Sequence, residues 1–71
     1  MKKIEINSKK IKRVLYQRYL LTVELMTGEK FLYQLVNLKT FNDFMNSVDK
    51  DQFYRSRIKT NKEFRKLQLF V

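Results

Sequence analysis

Two sets of basic side chains carry most of the chemistry open to this sequence. The first is Lys2, Lys3, Lys9, Lys10, Lys12 and Arg13; the second is Arg55, Arg57, Lys59, Lys62, Arg65 and Lys66. Ammonium and guanidinium groups at this density can neutralise phosphates and release condensed counterions, which makes such binding fall with salt. Arg55, Arg57 and Arg65 add the planar fork that grips a phosphate through two hydrogen bonds. Tyrosines sit close by: Tyr16 and Tyr19 flank the Gln17-Arg18 pair, and Tyr54 precedes Arg55. Aromatic rings beside cations suit the stacking of unpaired bases. The residues expected to contact a polyanion are therefore Lys9, Lys10, Lys12, Arg13, Tyr16 and Arg18, with Tyr54, Arg55, Arg57, Lys59, Lys62, Arg65 and Lys66. The competing account is a solvated basic arm and the polar face of an ordinary helix.

Other chemistries are poorly supplied. The 71 residues include no His, Cys, Pro or Trp and a single Gly, Gly28. Nucleophilic or acid–base catalysis built on His or Cys is excluded, and so are disulfide and Cys/His zinc sites. A phosphate loop or dinucleotide fingerprint needs several glycines. Ser8, Ser47 and Ser56 have no His to activate them. Asp43, Asp49 and Asp51 lack the spacing and glycine of a calcium loop and read as helix caps. No enzyme, metal or cofactor is expected.

Charge is spread unevenly. Sixteen basic residues against seven acidic give +9. Residues 1–14 carry six basic residues against Glu5, and residues 55–71 carry six against Glu63, while 15–54 are almost neutral. A chain this short is one domain, 1–71, with residues 1–10 read as a basic arm. Folding buries about 60% of the unfolded surface at this size, near the limit for independent stability, so a homodimer pooling two cores is an open alternative. The longest apolar stretches are short, such as Leu20-Leu21 and Leu35-Val36, which rules out a membrane-spanning helix. Met1-Lys2-Lys3 has the charge of a signal-peptide start, but the polar segment 4–10 follows in place of an apolar stretch. A cytoplasmic protein of a low-GC bacterium or its phage is the expectation.

The elements that must position these residues read as an α+β domain. Ile4-Glu5-Ile6 alternates too briefly to define a strand. Ile11–Tyr16 reads as a strand with Ile11, Arg13 and Leu15 on one side. Gln17-Arg18 is a polar break, and Tyr19–Met26 places Tyr19, Leu21, Val23 and Leu25 on one face. Thr27-Gly28 is a two-residue hairpin turn, and Lys30–Val36 follows with Phe31, Tyr33 and Leu35 inward. The period then changes: Phe41, Phe44, Met45 and Val48 form a helical stripe after Asn37, a candidate N-cap, with Thr40 and Asp43 a later capping box. Asp49 either ends this helix or caps a second, in which Phe53 and Ile58 point inward and Arg55, Arg57 and Lys59 outward. Leu67, Leu69 and Val71 alternate in a closing strand over 65–71. The order is β-β-β-α-α-β, an antiparallel three-strand meander with helices on one face and a closing strand. Pairing of the first and last strands would bring the two basic sets onto one surface.

The order of these signals resembles the KTSC domain, a short module named for the C-terminus of some lysyl-tRNA synthetases and also found as single-domain bacterial and phage proteins. Ser8, Ile11, Val14 and Tyr16, then Leu21, Val23, Glu24 and Gly28 fit its pattern. Phe31-Leu32-Tyr33 stands at its Tyr-x-Tyr motif, followed by Val36, Phe41, Phe44, Phe53-Tyr54 and Ile58. The resemblance covers about residues 8–67. Phe31 replaces the first tyrosine, Asn37 the proline after Val36, and Arg55 an asparagine, while Asp51-Gln52 lacks a glycine. The resemblance implies an RNA-binding module and supplies no catalytic residues.

The expected function is thus a small, non-enzymatic nucleic-acid-binding module, RNA ahead of DNA, working through phosphates with tyrosine stacking. The alternative is a protein-interaction module that docks on an acidic protein, for instance a phage or plasmid protein on a host enzyme.

Overall fold

The computed structural model of the protein describes residues 2–69. Five strands, β1 (Lys2–Glu5), β2 (Ile11–Gln17), β3 (Leu20–Leu25), β4 (Lys30–Gln34) and β5 (Arg65–Leu69), form one antiparallel sheet in the order β1-β2-β3-β4-β5. Between β4 and β5 lie α1 (Leu38–Asn46) and α2 (Lys50–Phe53), the latter continuing as a π-type turn over Tyr54–Lys59. The architecture is the expected α+β domain with one extra strand. Lys2–Glu5, read as an arm, is a sheet strand because its alternation registers with β2, Ile4 opposite Val14 and Glu5 opposite Arg13. Val71 and the side chain of Lys2 lie outside the described residues.

The helices cover one face of the sheet. Ile11, Val14 and Tyr16 of β2, Leu21 and Val23 of β3, and Tyr33 of β4 are buried against Phe41, Phe44, Tyr54 and Ile58. Tyr16 stacks on Phe41 with ring centroids 4.3 Å apart, a contact worth about 0.5–1.5 kcal/mol beyond the area it buries. Its hydroxyl donates to the Val36 carbonyl at 2.7 Å. The Tyr33 and Tyr54 hydroxyls share a hydrogen bond of 2.7 Å inside the core, so neither buried phenol is left unpaired.

Several local expectations change. A β-bulge between Ile11 and Arg13 makes Lys12 the extra residue and shifts the alternation. Ile11 therefore shares the core face with Val14 and Tyr16, while Arg13 and Leu15 face outward. Arg18 and Tyr19 form a two-residue turn with φ of 48° and 64°, the pattern of a type I′ hairpin made without glycine. Tyr19 consequently leaves the strand and is exposed. The β3–β4 turn is longer than the two residues expected: Leu25 N–H donates to the Glu29 carbonyl and so encloses residues 26–28, Gly28 N–H donates to the Leu25 carbonyl, and Gly28 takes φ 97°.

Leu35 also departs from its strand, with φ 68°, and is exposed; Val36 fills the core in its place. Asn37 caps α1 by accepting from Thr40 N–H at 2.8 Å, and Asp49 caps α2 by accepting from Gln52 N–H at 3.0 Å. The helix ends at Asn46, which leaves Val48 fully exposed beyond it. Leu67 and Leu69 of β5 are exposed rather than closing a core.

Candidate functional site

The β1–β2 loop is built to present two lysines. Ile6 and Asn7 both donate from their backbone N–H to the Lys12 carbonyl at 3.0 Å, and Ser8 N–H donates to Ile11 at 2.9 Å. Asn7 takes the left-handed conformation, φ 53°, that asparagine tolerates better than most residues. The Ser8 hydroxyl accepts from Ile11 N–H at 3.1 Å. Lys9 and Lys10 are left exposed at the tip.

That tip is fastened to α2. One carboxylate oxygen of Asp51 accepts from the Ser8 hydroxyl at 2.7 Å and from Lys10 N–H at 3.2 Å. Arg55 lies four residues after Asp51, one helical turn on. Lys9, Lys10 and Arg55 therefore line one open hollow of about 320 Å³ with Asp49, Asp51 and Gln52. This hollow joins the two basic sets, through a helix rather than through strand pairing.

The expected pairing of the first and last strands does not occur. β1 and β5 are the opposite edges of the sheet because each successive strand pairs only with its chain neighbours. The remaining basic residues are accordingly dispersed. Lys59 lies four residues beyond Arg55 on the helical segment, Arg57 turns to the other side over the Phe53 ring, and Lys62 follows in the loop to β5, all exposed. Arg65 and Lys66 stand on β5 at the far edge, on opposite faces of the sheet. Lys12 is exposed at the bulge. Arg18 caps the β2–β3 turn, at the other end of the strands from Lys9 and Lys10. Arg13 is occupied, bonded to Glu5 at 3.1 Å and Glu24 at 3.2 Å.

Two expected stacking residues are corrected. Tyr16 and Tyr54 are 9% and 6% exposed, their rings against Phe41 and Tyr33. Neither offers a face to a base. Desolvation by burial raises the ionisation of Tyr16, Tyr33 and Tyr54 above the ordinary 10.0 of a phenol, so all three stay neutral donors at physiological pH. Tyrosine type alone does not say which end of the residue meets the core. Tyr19, beside Arg18, is the exposed one at 61%.

Other partly exposed aromatics carry cations. The Arg57 guanidinium lies 5.9 Å from the Phe53 ring centroid, and the Lys66 ammonium 4.7 Å from that of Phe31. The spacing of Phe53 and Arg57, four apart in a helix, was the available sequence signal for the first. The positioning role of Ser8 and Asp51 had no such signal, since 43 residues separate them.

Among the described residues no cluster of three or more His, Cys, Asp or Glu could hold a metal ion. No helix there is long and apolar enough to cross a membrane. No curated protein matches the chain. The KTSC domain model matches residues 7–64, from the loop that presents Lys9 and Lys10 to the residue before β5. With the Ser8, Tyr33 and Tyr54 positions of the family pattern each engaged in the hydrogen bonds described above, and most of the sequence matched, the chain belongs to the KTSC domain family.

Proposed function

We propose that the protein is a non-enzymatic module that binds single-stranded nucleic acid, RNA ahead of DNA, through its phosphates. The observation that carries this reading is that the exposed cations form no ion pairs. Among the described residues only Arg13 forms ion pairs, while Lys9, Lys10, Lys12, Arg55, Arg57 and Lys59 are exposed without a carboxylate partner. The cluster of Lys9, Lys10 and Arg55 is the footing, and Lys59, four residues beyond Arg55, extends it along the helical segment. With Tyr16 and Tyr54 in the core, base stacking is a minor contribution, so binding is sequence-tolerant. The preference for RNA rests on the family resemblance and on the absence of a helix-turn-helix pair or zinc finger. A cytoplasmic location fits a chain without cysteine.

The test is a titration of a labelled single-stranded RNA at increasing salt. Dissociation constants in the range of ~10⁻⁴–10⁻⁶ M that weaken steadily with salt are expected. Absence of binding at low salt overturns the reading.

A further inference from the structure

The sheet has a second face, which no helix among the described residues covers. Strand register assigns it: Leu15, Thr22, Leu32 and Leu67 are cross-strand neighbours in one row, and Lys30 pairs with Leu69 in the next. Leu20 adds to the same side, opposite Gln17. Leu20, Leu67 and Leu69 are 39%, 49% and 37% exposed. Leu15, Leu20, Thr22 and Leu32 enclose a shallow hollow of about 110 Å³, roughly the room an aliphatic side chain needs. Contiguous exposed leucine of this kind on a small protein marks an interaction surface.

The charges around it select the occupant. The acidic residues of this face, Glu5 and Glu24, are both held by Arg13. Lys3, Lys30 and Arg65 border the leucines and have no carboxylate partner among the described residues. A second copy would bring two such basic rims together, each on a molecule of charge +9, which opposes self-association. Among the described residues no strand places an aromatic ring on this face for unpaired bases to stack on. Leu15 and Leu32 lie half-buried in the sheet rather than projecting, a poor shape for insertion into lipid.

We propose that the open sheet face docks an acidic amphipathic helix of a protein partner. The helix lays its apolar stripe across Leu15, Leu20, Leu32 and Leu67, sets one side chain in the hollow, and turns its carboxylates toward Lys3, Lys30 and Arg65. This surface is separate from the Lys9, Lys10 and Arg55 cluster, which lies on the helix-bearing side.

The test uses a labelled synthetic peptide of about 18 residues with leucine at i, i+3, i+4 and i+7 and glutamate elsewhere. Its sequence-scrambled and lysine-for-glutamate versions are the controls. Amide shifts mapped on the isotope-labelled protein are expected at residues 15, 20, 32 and 67, with saturable binding by the glutamate peptide alone. Leu67→Ser and Leu20→Ser, both at exposed positions, should each weaken the peptide about tenfold and leave RNA binding unchanged. Four results overturn the proposal: no peptide shifts, equal binding of a control peptide, concentration-dependent shifts at these leucines without peptide, or the same leucines shifted by polyuridylate or by vesicles containing phosphatidylglycerol.

Discussion

The Ser8 hydroxyl donates to the Asp51 carboxylate at 2.7 Å across 43 residues of chain, and this contact places Lys9 and Lys10 beside Arg55. Among the described residues it is the one hydrogen bond between two side chains that joins the β1–β2 loop to α2. The same Asp51 oxygen holds Lys10 N–H, so the loop is fixed by backbone and side chain together.

Removing the Ser8 hydroxyl breaks that tie without changing charge, together with the bond it accepts from Ile11 N–H. Ser8→Ala should cost about 1–2 kcal/mol of stability, as expected for a hydrogen bond to an ionised acceptor at a part-buried site. Hydrogen exchange at Lys10 N–H should accelerate, and RNA affinity should fall although no cation is lost. An unchanged denaturation midpoint together with unchanged Lys10 protection would show that the loop is held by other means.

Alkaline pH tests the tyrosine core. Burial raises the ionisation of Tyr16, Tyr33 and Tyr54 above the 10.0 of the unfolded chain. Below pH 10 both states keep these protons and stability is level in this respect. Above pH 10 the unfolded chain releases protons that the folded one retains, so stability falls as pH rises, by up to about 1.4 kcal/mol per pH unit for each phenol until the folded state releases that proton too. Urea midpoints should drop above pH 10, with tyrosinate absorbance showing these three rings ionising at higher pH in the folded than in the unfolded protein. Tyrosinate from all three appearing while the fold remains intact would contradict the account.

Leu35 holds φ 68° while two-thirds exposed. A left-handed backbone costs a side chain with a Cβ roughly 1–2 kcal/mol, against which glycine brings a smaller entropic cost. Leu35→Gly should therefore raise stability by up to about 1 kcal/mol, or ~4–8 °C in Tm for a domain of this size. A lower melting temperature would mean that the exposed side chain makes contacts that outweigh the strain.

Patterns set by local chemistry were legible in the sequence. Leu21 and Val23 facing Phe31 and Tyr33, the Phe41 and Phe44 stripe, and the Asn37 and Asp49 caps depend on neighbours within a few residues. What depended on distant partners was not legible. Lys2–Glu5 is a strand only because β2 offers an edge to pair with. The Lys12 bulge moves Ile11 to the opposite face from the one strict alternation gives it. Arg18 and Tyr19 make a turn usually signalled by glycine or asparagine. The candidate site divides the same way. Exposure of the lysines and arginines followed from residue type. Their grouping depended on sheet order, which separates β1 from β5, and on the contact from Ser8 to Asp51.

The most direct measurement of the central claim is the salt dependence of RNA binding by the wild-type protein and by a Lys9→Gln, Lys10→Gln, Arg55→Gln triple variant. The cluster should account for up to three phosphate contacts, each contributing about −0.7 to the slope of log affinity against log salt. A variant that stays folded, binds more weakly at low salt and has a slope shallower by about 2 supports the account. Equal affinity and equal slope in the two proteins would contradict it.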